Sequence, residues 1–245
     1  MLKVSGVSKR FGGLSVLENF NLSVPRKGFT ILVGPSGCGK STLFNVLTGV
    51  VSKESGSIHW LGERLPDLGK KCAYMQQNDL LLPWSSMLDN ALLPAKIAGE
   101  DMTESKTKAL GLFKRLGLDG FENYLPGEIS GGMRQRCALV RTLMFEHELT
   151  LLDEPLSALD AITRISLQSL LLLLQSEFNK SILMITHDIE EALLLADEVL
   201  VLSRLPMRII ERFDLSGSKP RQLSDHHLIE IKEYVLNRLQ QELSR

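Results

Sequence analysis

The 245-residue chain sets 28 Lys and Arg against 29 Asp and Glu, for a net charge of -1, and is 44% hydrophobic. That apolar content suffices for the core of one large or two small domains, and the charge balance gives no support to an electrostatic nucleic-acid binder. Three cysteines, Cys38, Cys72 and Cys137, are odd in number and lack metal-ligand spacing, which argues against a disulfide framework or a zinc site.

Cys72 and Cys137 read as small core residues. The longest uninterrupted apolar runs, such as Leu170 to Leu174, fall far short of the ~18 residues a membrane span requires. The opening MLKVSGVSKR has no long apolar signal segment, so a soluble, cytoplasmic chain is the expectation.

Leu17 to Val24 alternates apolar Phe20, Leu22 and Val24 with polar partners, the period of a half-buried strand, and predicts a β-rich start. Phe11, in SKRFGG, reads equally as an aromatic that stacks on a nucleotide base and as an ordinary core residue. The apolar run Phe29 to Val33 then leads into GPSGCGKST, Gly34 to Thr42, which matches G-x-x-x-x-G-K-[ST] with Gly34, Gly39, Lys40 and Ser41. In this pattern glycines let the backbone wrap an anion, so that successive N–H groups and the next helix N-terminus point at phosphate. Lys40 is expected to reach the β and γ phosphates, and the Ser41 hydroxyl to ligate magnesium. Pro35, Ser36, Gly37, Cys38 and Thr42 complete the loop. An adduct on Cys38 is expected to crowd the nucleotide and inhibit the protein.

Ser57 to Trp60 with Leu61-Gly62-Glu63 reads as a strand and turn. From about 79 to 144 the period becomes helical. Ala109, Leu112, Phe113 and Leu116 share one face, and Thr103 is a candidate helix cap. Leu82-Pro83-Trp84 opens this stretch as either a surface turn or a packed tryptophan. Strand-like runs then return at Leu149 to Leu152, Ser181 to Thr186 and Val199 to Leu202, with helical segments at Arg164 to Phe178 and Ile189 to Ala196 between them. This βαβ alternation predicts an α/β fold with a parallel sheet. Asp214 to Asp225 reads as a polar linker, and His226 to Arg245 as a short amphipathic helix.

The second half of the chemistry lies in three strings. LTLLDE delivers Asp153 and Glu154 at a strand's C-terminal end, where ligands bind in open α/β sheets: Asp153 as a magnesium ligand, Glu154 as general base. ISGGMRQR, Ile129 to Arg136, offers a second anion-binding helix start at Ser130, Gly131 and Gly132. One triphosphate does not need two such termini in one domain, so the economical arrangement is a dimer in which these residues close over the partner's phosphate loop. His187 ends the run Ile182 to Thr186, where an imidazole could donate to a phosphate oxygen.

Together, GPSGCGKST, YMQQNDLLLPW, ISGGMRQR, LLDEPLSALD and ITHDIEEAL resemble, in order and spacing, the ATP-binding subunit of ABC transporters, over Met1 to about Glu211. LLLPW and THDIEEAL look most like the importer group serving nitrate, sulfonate, taurine and thiamine-precursor uptake. The resemblance implies one nucleotide-binding domain over 1–245: a P-loop ATPase core with a mostly parallel sheet, an N-terminal antiparallel β subdomain, the helical insertion at 79–144 and a helical tail from about 216. It implies ATP and Mg2+ as ligands, with Phe11 stacking on adenine and Asp160 contacting the opposite subunit. Gln77 or its neighbour Gln76 senses the γ phosphate and magnesium, and His187 touches the γ phosphate. It further implies a second copy and membrane permease subunits as partners, an extracytoplasmic solute-binding protein indirectly, no nucleic acid, and a peripheral place on the cytoplasmic face of the inner membrane. Met133 stands where Gln is commoner in the family, and Ile129 where Leu is. A soluble ABC ATPase acting on nucleic acid, ribosomes or cluster assembly shares the nucleotide motifs. The single cassette and LLLPW, where relatives meet the permease, favour transport.

Overall fold

The computed structural model describes residues 1–157, 159–215 and 217–243. Strands β1 (Leu2–Phe11) and β2 (Leu14–Val24) pair antiparallel, and β3 (Phe29–Val33) follows as a fully buried strand. Helix α1 (Lys40–Leu47) leads to the hairpin of β4 (Ser55–Trp60) and β5 (Glu63–Leu65), closed by Leu61 and Gly62, both at positive φ, as a two-residue turn that follows the strand twist requires. Strand β6 (Cys72–Met75) is followed by helices α2 (Met87–Ala91), α3 (Leu93–Ala98) and α4 (Met102–Arg115), a 3-10 turn at Pro126–Glu128, and α5 (Gly131–Leu143). The chain then alternates β7 (Leu149–Asp153), α6 (Ala161–Ser176), β8 (Ser181–Thr186), α7 (Ile189–Leu195) and β9 (Glu198–Leu202). It ends with β10 (Ile209–Asp214) and α8 (His226–Leu243).

Two sheets result: a four-stranded antiparallel one ordered β2-β1-β4-β5 and a six-stranded one ordered β10-β9-β3-β8-β7-β6, parallel except for β10. The pleat divides the core. Leu32, Leu151, Leu183, Ile185 and Leu200 face α1 and the antiparallel sheet, while Ile31, Val33, Leu152, Met184 and Val199 face the layer built from α2, α4, α5, α6 and α7. Both faces of β3, β7 and β8 are therefore apolar, which explains their unbroken hydrophobic runs. The C-terminal ends of these strands converge on one edge. There the loops after β3, β7 and β8 carry Gly34 to Thr42, Glu154 and His187.

The α/β architecture follows the alternation read from the sequence, with local corrections. The cap of α4 is Asp101, whose carboxylate accepts from the N–H groups of Thr103 and Glu104 at 2.7 and 3.1 Å; Thr103 is two residues inside the helix. A carboxylate is charged and accepts two amides, and so displaces the weaker hydroxyl. The polar stretch after β10 is no free linker. The Lys219 ammonium pairs with Asp197 at 2.6 Å and bonds Gln175, and the Arg221 guanidinium donates to the carbonyls of Leu193, Ala196 and Leu215. Charged side chains satisfying exposed helix-end carbonyls pin a segment whose composition looks mobile. Helix α8 buries Leu228, Ile231 and Val235 against the main core.

Candidate active site

The phosphate loop joins the end of β3 to α1. A Cβ on Gly34 would lie 2.8 Å from that of Leu202, and Gly39, at φ +105°, has Val16 Cγ1 2.6 Å from where a Cβ would stand. Glycine at these two positions lets the loop lie flat on β9 and β2. No acidic residue occupies the first turn of α1, so no carboxylate of the helix itself opposes an incoming anion. The Lys40 ammonium is buried and folded back into the loop, donating to the carbonyls of Gly34 at 2.8 Å and Pro35 at 2.9 Å.

Cys38 turns inward, 2% exposed, with Sγ 4.0 Å from Lys40 Nζ. Burial raises its thiol pKa, partly offset by the Lys40 charge. The Cys38 sulfur is thus buried within the loop, so the adduct expected to crowd the nucleotide would first require the loop to open.

Ser36, Gly37, Gly39, Lys40, Ser41 and Thr42 line one cleft together with Gln77 and Glu154. At about 230 Å³ it falls below the ~300–1,000 Å³ of pockets that enclose a drug-sized ligand.

Two of these lining residues, Gln77 and Glu154, meet a third side chain, His187. The Gln77 amide donates to Glu154 Oε2 at 3.4 Å, and His187 Nδ1 lies 3.2 Å from the same oxygen. Gln77 and not Gln76 makes this contact. Glu154 adopts φ +50°, a conformation that residues with a Cβ rarely take, and its backbone is held at both ends. Its N–H donates to the Ile185 carbonyl at 2.9 Å, and its carbonyl accepts from Gln135 Nε2 and Ser157 Oγ, each at 3.0 Å. Gln135 is a site residue that sequence reasoning missed; it lies inside ISGGMRQR, five residues beyond the Ser130 that drew attention.

Asp153 is 2% exposed, and its Oδ1 has no hydrogen-bond partner. Burial raises its pKa; the Ser41 hydroxyl opposes this, the Glu154 charge adds to it, and Lys40 opposes it again. A buried, unpartnered carboxylate oxygen beside a hydroxyl is costly by itself and suits a hard cation, which favours oxygen donors. Magnesium fits this donor set.

The remaining candidates stand outside the cleft. Phe11, at the end of β1, is 48% exposed, with Lys9 Nζ 5.1 Å above its ring. Ser130 caps α5, its hydroxyl accepting from Met133 N–H at 3.3 Å, and Gly131 and Gly132 form the first turn. Asp160 caps α6 through the Thr163 N–H at 3.0 Å, and the Thr163 hydrogen bonds hold its carboxyl below the usual range. Within one chain, then, the second helix terminus does not join the first.

A family model described as ABC transporter matches residues 17–157. The chain is 40% identical to the taurine import ATP-binding protein TauB of Escherichia coli O157:H7 and of Shigella sonnei strain Ss046, over 98% of this chain and 97% of each relative. The fold matches the ATP-binding cassette MJ0796, solved as a dimer and in a post-hydrolysis state with ADP and Pi. The TM-score is 0.81 and the identity 28%, over 89% of this chain and all of that one. Similarity of this depth along nearly the whole length places the protein in the ABC transporter family, as one of its ATP-binding subunits.

Proposed function

We propose that the chain is the ATP-hydrolysing motor of an importer, acting as a pair of copies that close on ATP and drive a membrane permease for a small sulfonate such as taurine. The convergence of Gln77 and His187 on one oxygen of Glu154, at the wall of the phosphate cleft, carries the reading. The relatives named for taurine import support the direction of transport and the solute class, and the dimeric cassettes support the pairing.

In this reading backbone N–H groups of the loop and of the start of α1 take the phosphates, and Lys40 exchanges its two carbonyl partners for phosphate oxygens. Glu154 accepts a proton from the attacking water, and its fixed backbone keeps the carboxylate aimed. His187 donates to the γ phosphate and Gln77 reports its presence. Ser41, Asp153 and Gln77 are the residues that would hold Mg2+, which when bound would neutralise developing phosphate charge. Phe11 stacks on adenine. Ser130, Gly131 and Gly132 of the second copy complete the site, with Asp160 at the same seam. Trp84, 76% exposed, together with Leu82 and Pro83, docks on the permease, and the solute-binding protein acts on the permease's far side. No helix among the described residues is long and apolar enough to cross a membrane. In this reading the chain sits on the cytoplasmic face through its permease partner.

Glu154→Gln tests the reading. It keeps the shape and loses the base, so ATP binding should persist while turnover falls by about 100-fold or more. With hydrolysis blocked, the variant should accumulate as an ATP-held dimer on gel filtration. Wild-type turnover would sink the assignment.

A further inference from the structure

Behind His187 lies a buried polar network that the mechanism above leaves unused. Glu191, on the first turn of α7, is 4% exposed and accepts from Thr186 Oγ1 at 2.7 Å. The same Thr186 oxygen accepts the Asp188 N–H at 3.1 Å. The residues on either side of His187 are thus tied to one carboxylate. Asp188 in turn caps α7, accepting from the N–H groups of Glu190 and Glu191 at 2.9 and 3.2 Å.

Two cations from other elements face this start of α7: Lys232 of α8 pairs with Glu190 at its outer side, and Arg164 reaches the inner carboxylates. The Arg164 guanidinium, from α6, places Nε 3.6 Å from Glu191 Oε1 and NH1 3.6 Å from Asp188 Oδ2, while NH2 donates to the Leu159 carbonyl at 3.4 Å. Its Nε is buried and makes no hydrogen bond. Both ion pairs, at 3.6 Å, are thus about 0.7–0.9 Å longer than charge-assisted hydrogen bonds. A small displacement of α6 would shorten or break them. The guanidinium's fork thus spans the turn before α6, through its hydrogen bond to Leu159, and two carboxylates of the α7 start, through ion pairs.

We propose that Arg164 is a positioning residue that links the Leu159–Asp160 turn to His187 through Glu191 and Thr186. The link rests on the role assigned to His187 above. Because Asp160 lies at the seam of the paired copies in that reading, arrival of the second copy would be felt at α6 and relayed to the imidazole that contacts Glu154. Arg164 itself touches neither nucleotide nor water.

The test is a double-mutant cycle on the full chain, with kcat and KM for ATP measured for wild type, Arg164→Met, His187→Ala and the double variant. Arg164→Met should lower kcat by about 10-fold with KM within about twofold. Arg164→Lys, which keeps the charge without the fork, should recover part of the rate. On the His187→Ala background the same Arg164 substitution should change the rate by less than about twofold, since a residue acting through His187 has nothing left to position. Equal losses on both backgrounds, or a raised KM with intact kcat, would overturn the proposal. If Arg164→Met does not fold, Glu191→Gln takes its place, because an amide oxygen can still accept from Thr186 while the ion pair is lost; the same cycle then decides. A His187→Ala variant with wild-type turnover overturns the histidine's role and the relay together, and that single rate tells this failure from failure of the relay alone.

Discussion

The Asn90 side chain closes a pair of hydrogen bonds on the backbone of Leu82, accepting from its N–H at 2.7 Å and donating to its carbonyl at 3.1 Å. Its amide also donates to the carbonyls of Ser85 and Ser86, each at 3.0 Å. Asn90 is fully buried on α2, so one side chain braces the turn that displays Trp84. Asn90→Ala would strand the Leu82 N–H and the Ser85 carbonyl, while the Leu82 and Ser86 carbonyls keep the N–H groups of Ser85 and Asn90, and a buried polar group left unsatisfied costs ~1–3 kcal/mol. For a chain of this size that is a fall of several degrees in melting temperature, measurable by calorimetry. An unchanged midpoint would show that the turn supports itself.

Trp84 itself gives the complementary case. With 76% of its surface exposed it contributes little to the fold, so Trp84→Ala should change stability by no more than about 0.5 kcal/mol. Basal ATPase of the isolated subunit should stay within about threefold, because the residue is not among those lining the cleft. Co-purification with the permease and solute-stimulated hydrolysis should fall. Normal coupling in a folded variant would place the docking surface elsewhere on the helical region.

All three cysteines are free and buried. Burial pushes the thiols of Cys72 and Cys137 up to about 12 and raises that of Cys38 as well. Thiolate is the reactive form, so the native protein at neutral pH should resist a water-soluble thiol reagent. Titration in denaturant should then release all three. A fast-reacting native thiol lost in Cys38→Ser would restore the phosphate loop as a site of chemical inactivation.

The sequence made the site's donors legible because each is tied to a local pattern: glycines before Lys40, a strand ending in Asp153 and Glu154, a strand ending before His187. What it hid were partners set by packing between distant elements. Gln77 and Gln76 are equivalent in a string, and only the turn after β6 decides that Gln77 meets Glu154. Gln135 bonds a backbone carbonyl nineteen residues away, a contact with no periodic trace. β6 and β10 escaped notice because KCAYM is short and IIERFD carries charges on a sheet edge, where exposure removes the apolar signal. Asp188 and Glu191 did leave a trace, the three-residue spacing of a helix start, but nothing in it points to Arg164 on another helix.

The buried carboxylate of Glu191 makes a prediction about pH whose sign is fixed. Burial raises its pKa, with the Thr186 hydrogen bond opposing, Asp188 adding to the rise, and Arg164 and His187 opposing again. A raised folded pKa means that the native state holds this proton more tightly than the unfolded chain does. The stability so gained is present below the unfolded pKa of ~4.3 and is lost as pH rises through the folded value, leaving a charge buried at neutral pH. Glu191→Gln has no such charge to bury and can still accept from Thr186. Its melting midpoint should therefore exceed that of the wild type at neutral pH, with the gap narrowing as pH falls toward the carboxylate range. The same variant is expected to hydrolyse ATP more slowly, so a gain in stability beside a loss in kcat would separate the work of Glu191 on His187 from any part in holding the fold. Melting curves that run parallel across this range, or a variant less stable throughout, would show that the Arg164 pairing already offsets the burial of Glu191.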